Sequence, residues 1–155
     1  MYDVAVIGCG IVGAAAAYEL SRYNCRVLVL EAKNDVANVT TKANSAILHA
    51  GYDPTPGTLM AETNVRGVAL AKELCEKLDV EREEIGSLVL AFGEEDERHL
   101  EKLYQQGLAN GVPGIELLTA DEVHALEPNV SDKVTAALYA PTAAIVSPWE
   151  YALAL

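Results

Sequence analysis

Three glycines, Gly8, Gly10 and Gly13, directly follow an apolar run, Val4-Ala5-Val6-Ile7. Eighteen residues after the last of them, Glu31 ends a second apolar run, Val27-Leu28-Val29-Leu30. In this order each residue type has a use in holding an adenine dinucleotide. Gly8 permits a tight turn off the strand, Gly10 lets the backbone approach a pyrophosphate, and Gly13 lets the following helix pack on the sheet. That helix opens at Ile11 and Val12 and aims its free N–H groups and positive dipole end at the phosphates. Glu31, followed by Ala32, can accept hydrogen bonds from a ribose 2′-hydroxyl, and its charge repels a 2′-phosphate. The set Gly8, Gly10, Ile11, Val12, Gly13, Glu31 and Ala32 is therefore a candidate cofactor site. The alternative is a β-turn-α unit without a ligand, because glycine-rich turns are common; the ordered context of strand, glycines, helix, strand and acid argues against it.

The elements that must position these residues are legible in outline. Residues 3–7 and 26–30 read as buried parallel strands, with a helix over 11–23 between them. A plain nucleotide-binding fold would then continue into another helix and a third strand. Here a polar stretch, 34–41, intervenes instead, and Pro54, Pro56 and Gly57 break regular structure beyond it. Val65, Val68, Ala69, Leu70, Ala71, Leu74 and Leu78 recur near helical spacing and predict a long helix over 59–78. A strand over 87–92 and a charged helix over 94–110 follow. The run Glu94-Glu95-Asp96-Glu97 suits the first turn of a solvated helix, and because consecutive helical carboxylates do not face one another, no metal is expected there. Residues 115–118 read as a short strand, Thr119 to Glu122 as a capping box opening a short helix, and 134–140 as β-prone. Ser147-Pro148-Trp149-Glu150 announces another helix, with an N-cap serine, a first-position proline and a capping glutamate. That helix stops after about two turns, so the sequence is expected to be the N-terminal piece of a longer protein.

The bulk properties narrow the classes. The 155 residues suffice for about one domain, and a 51% hydrophobic content fits a packed core. A net charge of −12 opposes nucleic-acid and anionic membrane surfaces. It leaves dinucleotide binding open, since local backbone donors hold a pyrophosphate. Cys9, Cys25 and Cys75 are scattered without ligand or disulfide spacing, which suits a reduced, cytoplasmic protein. There is no basic n-region of a signal peptide and no apolar run of the ~20 residues a membrane helix needs. His99, His124 and Arg66 read as residues of solvated helix faces.

The stretch Thr40-Thr41-Lys42-Ala43-Asn44-Ser45-Ala46-Ile47-Leu48-His49-Ala50-Gly51-Tyr52-Asp53 resembles the FAD-dependent D-amino-acid-oxidase-like superfamily. Within it the chain is most similar to flavin-linked glycerol-3-phosphate dehydrogenases and L-2-hydroxyglutarate dehydrogenases. The resemblance spans essentially the whole chain and takes in Gly8–Gly13, Glu31 and Ala144-Ile145-Val146-Ser147-Pro148. It implies FAD as cofactor, with Thr40, Thr41, Asn44 and Ser45 against it; these small donors and acceptors suit ribityl hydroxyls and phosphate oxygens. Read without the resemblance, the same stretch is a polar surface loop with Asx and Ser turns. His49 would lie near the flavin face as the candidate catalytic residue, orienting substrate or moving a proton. A histidine bonded in a loop or core is the plainer alternative.

The resemblance implies an α/β fold, a Rossmann-like FAD-binding βαβ start with the beginning of an interleaved α+β substrate domain, truncated. Residues 1–79 would be the first part of the FAD-binding domain, 80–140 the first part of the substrate domain, and 141–155 a return helix cut short. The expected function is oxidation of a secondary alcohol, sn-glycerol 3-phosphate first and an L-2-hydroxy acid such as 2-hydroxyglutarate second. An NAD-dependent dehydrogenase fits less well, since it needs a prompt βα continuation after Glu31. The 155-residue piece by itself is expected to be inactive. A reading of another class is a nucleotide-binding module that self-associates through exposed apolar surface. The expected partner is otherwise a small-molecule substrate.

Overall fold

The computed structural model describes all 155 residues. Its elements, in chain order, are β1 (Val4–Ile7), α1 (Ile11–Leu20), β2 (Val27–Leu30), a 3₁₀ turn (Thr40–Lys42), β3 (Ile47–Leu48) and α2 (Leu59–Leu78). There follow β4 (Arg82–Glu83), β5 (Ser87–Ala91), α3 (Glu94–Asn110), β6 (Glu116–Thr119), α4 (Ala120–Leu126), β7 (Ala136–Ala140), β8 (Ala144–Val146) and α5 (Pro148–Ala154). The chain forms two compact units. One holds residues 1–47, 72–82 and 146–155; the other holds 48–71 and 83–145. The two- and three-residue strands β3, β4 and β8 lie where the chain passes from one unit to the other.

In the first unit β1 and β2 pair in parallel, Val4 opposite Val27 through Ile7 opposite Leu30. The intervening α1 stops at Leu20 rather than at the expected residue 23. Ser21 ends it by donating its hydroxyl to the Tyr18 carbonyl (2.7 Å), and Arg22 and Tyr23 continue as turns. On its outer side Tyr18 receives a hydrogen bond from Lys77 Nζ at 2.8 Å, which ties α1 to the last turn of α2. The proline-started α5 forms with Ser147 as its N-cap, the hydroxyl accepting from the Glu150 amide at 3.4 Å, while the Glu150 side chain does not close the expected box. It packs on α1 and on the Thr40–Lys42 turn. The core here is made of small residues: Ala14, Ala37, Cys75, Val80, Val146 and Ala152 are buried.

The second unit is built on an antiparallel sheet of order β5-β7-β6. Ser87 to Ala91 pair with Ala140 to Ala136, and Glu116 to Thr119 with Tyr139 to Ala136. The central β7 alternates faces. Leu138 and Ala140 join Leu100, Leu103, Val112 and Ile115 in one cluster, while Ala137 joins Leu118, Val123 and Val134 in another. The amphipathic α3 supplies Leu100, Leu103 and Gly107 at three- and four-residue spacing, and its acidic first turn is Glu94 to Glu97 as read. Thr119 and Glu122 form the anticipated capping box, which lowers the Glu122 pKa through the Thr119 amide and hydroxyl. In α2 the buried positions are Ala61, Ala71 and Cys75, with Val65, Val68, Leu74 and Leu78 half-buried. Ala69 and Leu70, expected on the apolar face, are exposed because they sit off that stripe.

No helix is long and apolar enough to cross a membrane, and no group of three or more His, Cys, Asp or Glu residues is placed to hold a metal ion.

Candidate cofactor site

The glycine turn is held by backbone geometry that few residue types permit. Gly8 leaves β1 at φ +96°, in the left-handed region that favours glycine, and its amide bonds the Leu30 carbonyl at 2.7 Å. A Cβ at Gly13 would stand 2.0 Å from the Gly8 carbonyl oxygen, so any side chain there would drive α1 off the turn. These are the roles the sequence assigns to the first and third glycines.

Glu31 reaches back from the end of β2. One carboxylate oxygen accepts from the Cys9 amide and the other from the Lys33 amide, each at 2.8 Å. The Cys9 hydrogen bond, and then that of Lys33, hold its pKa below the ordinary 4.5. The Cys9 carbonyl in turn accepts from Ala37 at 2.8 Å, with Ala37 buried at φ +53°. Sequence reading gave Glu31 a ribose to bind and did not anticipate this bracing of the turn. An alanine with positive φ leaves no compositional trace, since the residues that commonly mark that region are Gly, Asn and Asp.

The loop that follows comes back over the helix start. The Thr41 hydroxyl oxygen accepts from the Ile11 amide at 3.0 Å. Asn44 is largely occupied within its own loop. Its amide nitrogen donates to the carbonyls of Thr41 (2.7 Å) and Thr40 (3.3 Å), and its side-chain oxygen accepts from Ala46 (2.7 Å). This is an Asx turn, the plainer of the two readings of the stretch, and it shapes the loop around Thr41.

Between turn and loop lies an open cavity of about 590 Å³. Gly8, Gly10, Ile11, Val12 and Gly13 line one side, and Thr40, Thr41 and Asn44 line the other. Val6, Ile7 and Ala16 contribute the apolar floor, which the sequence reading did not include. Glu31, Ala32 and Ser45 are not among the lining residues. Their positions are close in sequence to lining or bracing groups, but Ala32 and Ser45 are exposed.

The donors left over define what the cavity can hold. The amides of Gly8, Cys9 and Ile11 are engaged within the protein. Those of Gly10, Val12 and Gly13 have no protein acceptor, as expected where a helix starts. Gly10 offers no side-chain cap, and the first turn of α1 has no acidic residue. The positive end of the helix dipole is thus uncompensated beside a cavity, which suits an anionic group. The cluster fits the pyrophosphate of a dinucleotide.

His49 belongs to the second unit, where its ring is exposed. The segment carrying it is pinned by side-chain amides. Asn64 donates to the His49 carbonyl, Asn110 to those of Gly51 (2.9 Å) and Pro54 (2.8 Å), and Gln106 to those of Tyr52 (3.3 Å) and Asp53 (3.2 Å). These three amides satisfy five carbonyls of an irregular segment without help from a sheet. They were not recognised as site-building residues, because Asn and Gln on polar helix faces look like solvated surface. Arg66 and His99 are exposed as read, whereas His124 is half-buried at the end of α4.

A βαβ start with free helix amides, an acid at the second strand's end and a loop folded over the helix N-terminus defines a dinucleotide-binding class. The chain belongs to the DAO family: the model of that family, described as FAD dependent oxidoreductase, matches residues 3–155. It is 51% identical over its whole length to a glycerol 3-phosphate dehydrogenase of Caloramator mitchellensis, covering 32% of that protein. It is 34% identical over 149 residues to a mitochondrial L-2-hydroxyglutarate dehydrogenase of Dictyostelium discoideum, covering 94% of this chain and 33% of that one. Among solved structures, an L-alpha-glycerophosphate oxidase from Mycoplasma pneumoniae with FAD bound superimposes with a TM-score of 0.90 at 33% identity. That match covers 99% of this chain and 41% of the oxidase. The chain thus spans about a third of the length of the curated relatives it matches. The family, the α/β fold of FAD-binding enzymes and FAD as the family's cofactor agree with the reading of the Gly8–Gly13 turn and the 40–53 stretch.

Proposed function

We propose that residues 1–155 carry the dinucleotide half of the FAD cradle of a flavin-linked dehydrogenase that oxidises sn-glycerol 3-phosphate to dihydroxyacetone phosphate. The observation that carries this is the free donor set of Gly10, Val12 and Gly13 beside the 590 Å³ cavity. The substrate is argued from the 51% identical glycerol 3-phosphate dehydrogenase.

In this reading those amides bind the pyrophosphate, and Glu31 offers its remaining lone pairs to the adenosine ribose. Gly8 and Ile11 shape the turn. Thr40, Thr41 and Asn44 close the other wall, with Ala32 and Ser45 at its margins. FAD, when bound, supplies the two-electron acceptor that takes hydride from the hydroxyl-bearing carbon. His49, exposed and anchored through its carbonyl by Asn64, is the candidate to accept the hydroxyl proton at a ring nitrogen. The protein would act in the cytoplasm on a small-molecule substrate. Residues 1–79, 80–140 and 141–155 would serve as cofactor segment, substrate segment and return helix.

The similarity to L-2-hydroxyglutarate dehydrogenase supports a second substrate reading. A self-associating nucleotide-binding module draws on the exposure of Ile7 (87%), Val12 (81%) and Leu30 (50%). One experiment separates the three. The FAD-loaded holoenzyme that carries this segment is mixed anaerobically with either substrate. Glycerol 3-phosphate is expected to bleach the flavin band near about 450 nm. Bleaching by L-2-hydroxyglutarate alone would replace the substrate, and bleaching by neither would favour the module.

A further inference from the structure

Tyr18 lies where α1 meets the last turn of α2, its ring half-buried and its hydroxyl at the surface. Two cations converge on this one phenol. Lys77 Nζ donates to the hydroxyl oxygen at 2.8 Å, and the Arg22 guanidinium carbon lies 5.2 Å from the ring centroid. The chain holds only 11 Lys and Arg against 23 Asp and Glu, so a ring faced by two of them is selectively electropositive. Glu19, the neighbouring carboxylate on α1, is paired with Arg22 at 3.3 Å, which directs its charge away from the phenol. The Lys77 hydrogen bond first, and Arg22 second, hold the Tyr18 pKa below the ordinary 10. A tie between two helices would account for Lys77 alone. It does not account for Arg22, which flanks the phenol without bridging any element.

We propose that Tyr18 is a modification site, a nucleophilic phenol that takes up an electrophilic sulfonyl, acyl or phosphoryl group at its oxygen. In that step the phenolate oxygen bonds the electrophilic centre. The bond to the leaving group breaks and its electron pair departs with that group, while the phenolic proton passes to solvent. Lys77 favours the phenolate before transfer, as a neighbouring cation does for other activated nucleophiles. Lys77 and Arg22 together then face the negative charge that develops on the departing group. The inference is independent of what the cavity at the glycine turn holds.

The test treats the FAD-loaded holoenzyme that carries this segment with a small aryl sulfonyl fluoride across a range of pH. Peptide mass analysis reads the rate of labelling at Tyr2, Tyr18 and Tyr23. Exposure alone would put Tyr23 (69%) and Tyr2 (60%) first. The proposal predicts that Tyr18 reacts severalfold faster than either. Its rate should also level off at lower pH than theirs, because a lowered pKa supplies phenolate there. Lys77→Met should bring Tyr18 down to the rate of Tyr23, and Lys77→Arg should restore most of the difference. The wild-type pH profile decides the matter where Lys77→Met does not fold. Tyr18 reacting no faster than Tyr2 and Tyr23 would overturn the proposal. So would a Tyr18 rate and profile unchanged by Lys77→Met, which would leave Lys77 as a tie between helices.

Discussion

Glu31 shows how one side chain serves two tasks. Its carboxylate braces the glycine turn through Cys9 and Lys33, and it retains lone pairs for a ribose. Because its folded-state pKa lies below the ordinary 4.5, the ionised form is the one that stabilises the fold. That contribution is complete above about 4.5 and disappears as pH falls through the lowered folded-state value. Thermal unfolding of wild type and Glu31→Gln across pH should therefore show a Tm gap that is constant at neutral pH and closes in acid. A gap that persists at the lowest pH would mean the charge plays no part in the bracing. The glycines and Glu31 were legible because their spacing reflects strict backbone demands. The bracing partners were not, since an amide such as that of Cys9 or Lys33 has no side-chain signature. The positive φ of Ala37 and Ala46 and the burial of Thr41 were hidden for the same reason: each depends on what the distant chain brings against it.

At the scale of elements, periodicity and caps were informative where runs were long. The helices α2 and α3 have the bounds their patterns predict, and the capping box at Thr119 is formed. The short strands β3, β4 and β8 are two or three residues long and too brief to show any period. Helix α1 ran short of its expected end because Ser21 turned its hydroxyl onto the backbone, a local competition that apolar counting does not see. The element that most organises the second unit is β7, which pairs on both edges and buries Leu138 completely. Leu138→Ala is expected to destabilise the chain by about 3 kcal/mol, through lost apolar contact and the cavity left behind. Chemical denaturation measures this directly, and a loss under about 1 kcal/mol would mean that the cluster closes over the gap.

For the molecule as a whole, the two units divide the candidate chemistry. The dinucleotide cavity is built wholly from residues 1–47, and His49 belongs to the unit of residues 48–71 and 83–145. The family and its cofactor were readable from the 8–13 turn, whose glycines meet strict backbone demands, and from the resemblance carried by the 40–53 stretch. The substrate is less legible within these residues: similarity to both glycerol 3-phosphate and L-2-hydroxyglutarate enzymes is spread over the same chain. The central claim is that the turn, Glu31 and the Thr40–Asn44 loop form the dinucleotide half of an FAD cradle, and that this half suffices to retain the cofactor. It is tested most directly by the visible spectrum of the purified chain after addition of excess FAD and desalting. The account predicts retained bands near about 370 and 450 nm. A folded chain that emerges colourless would contradict it.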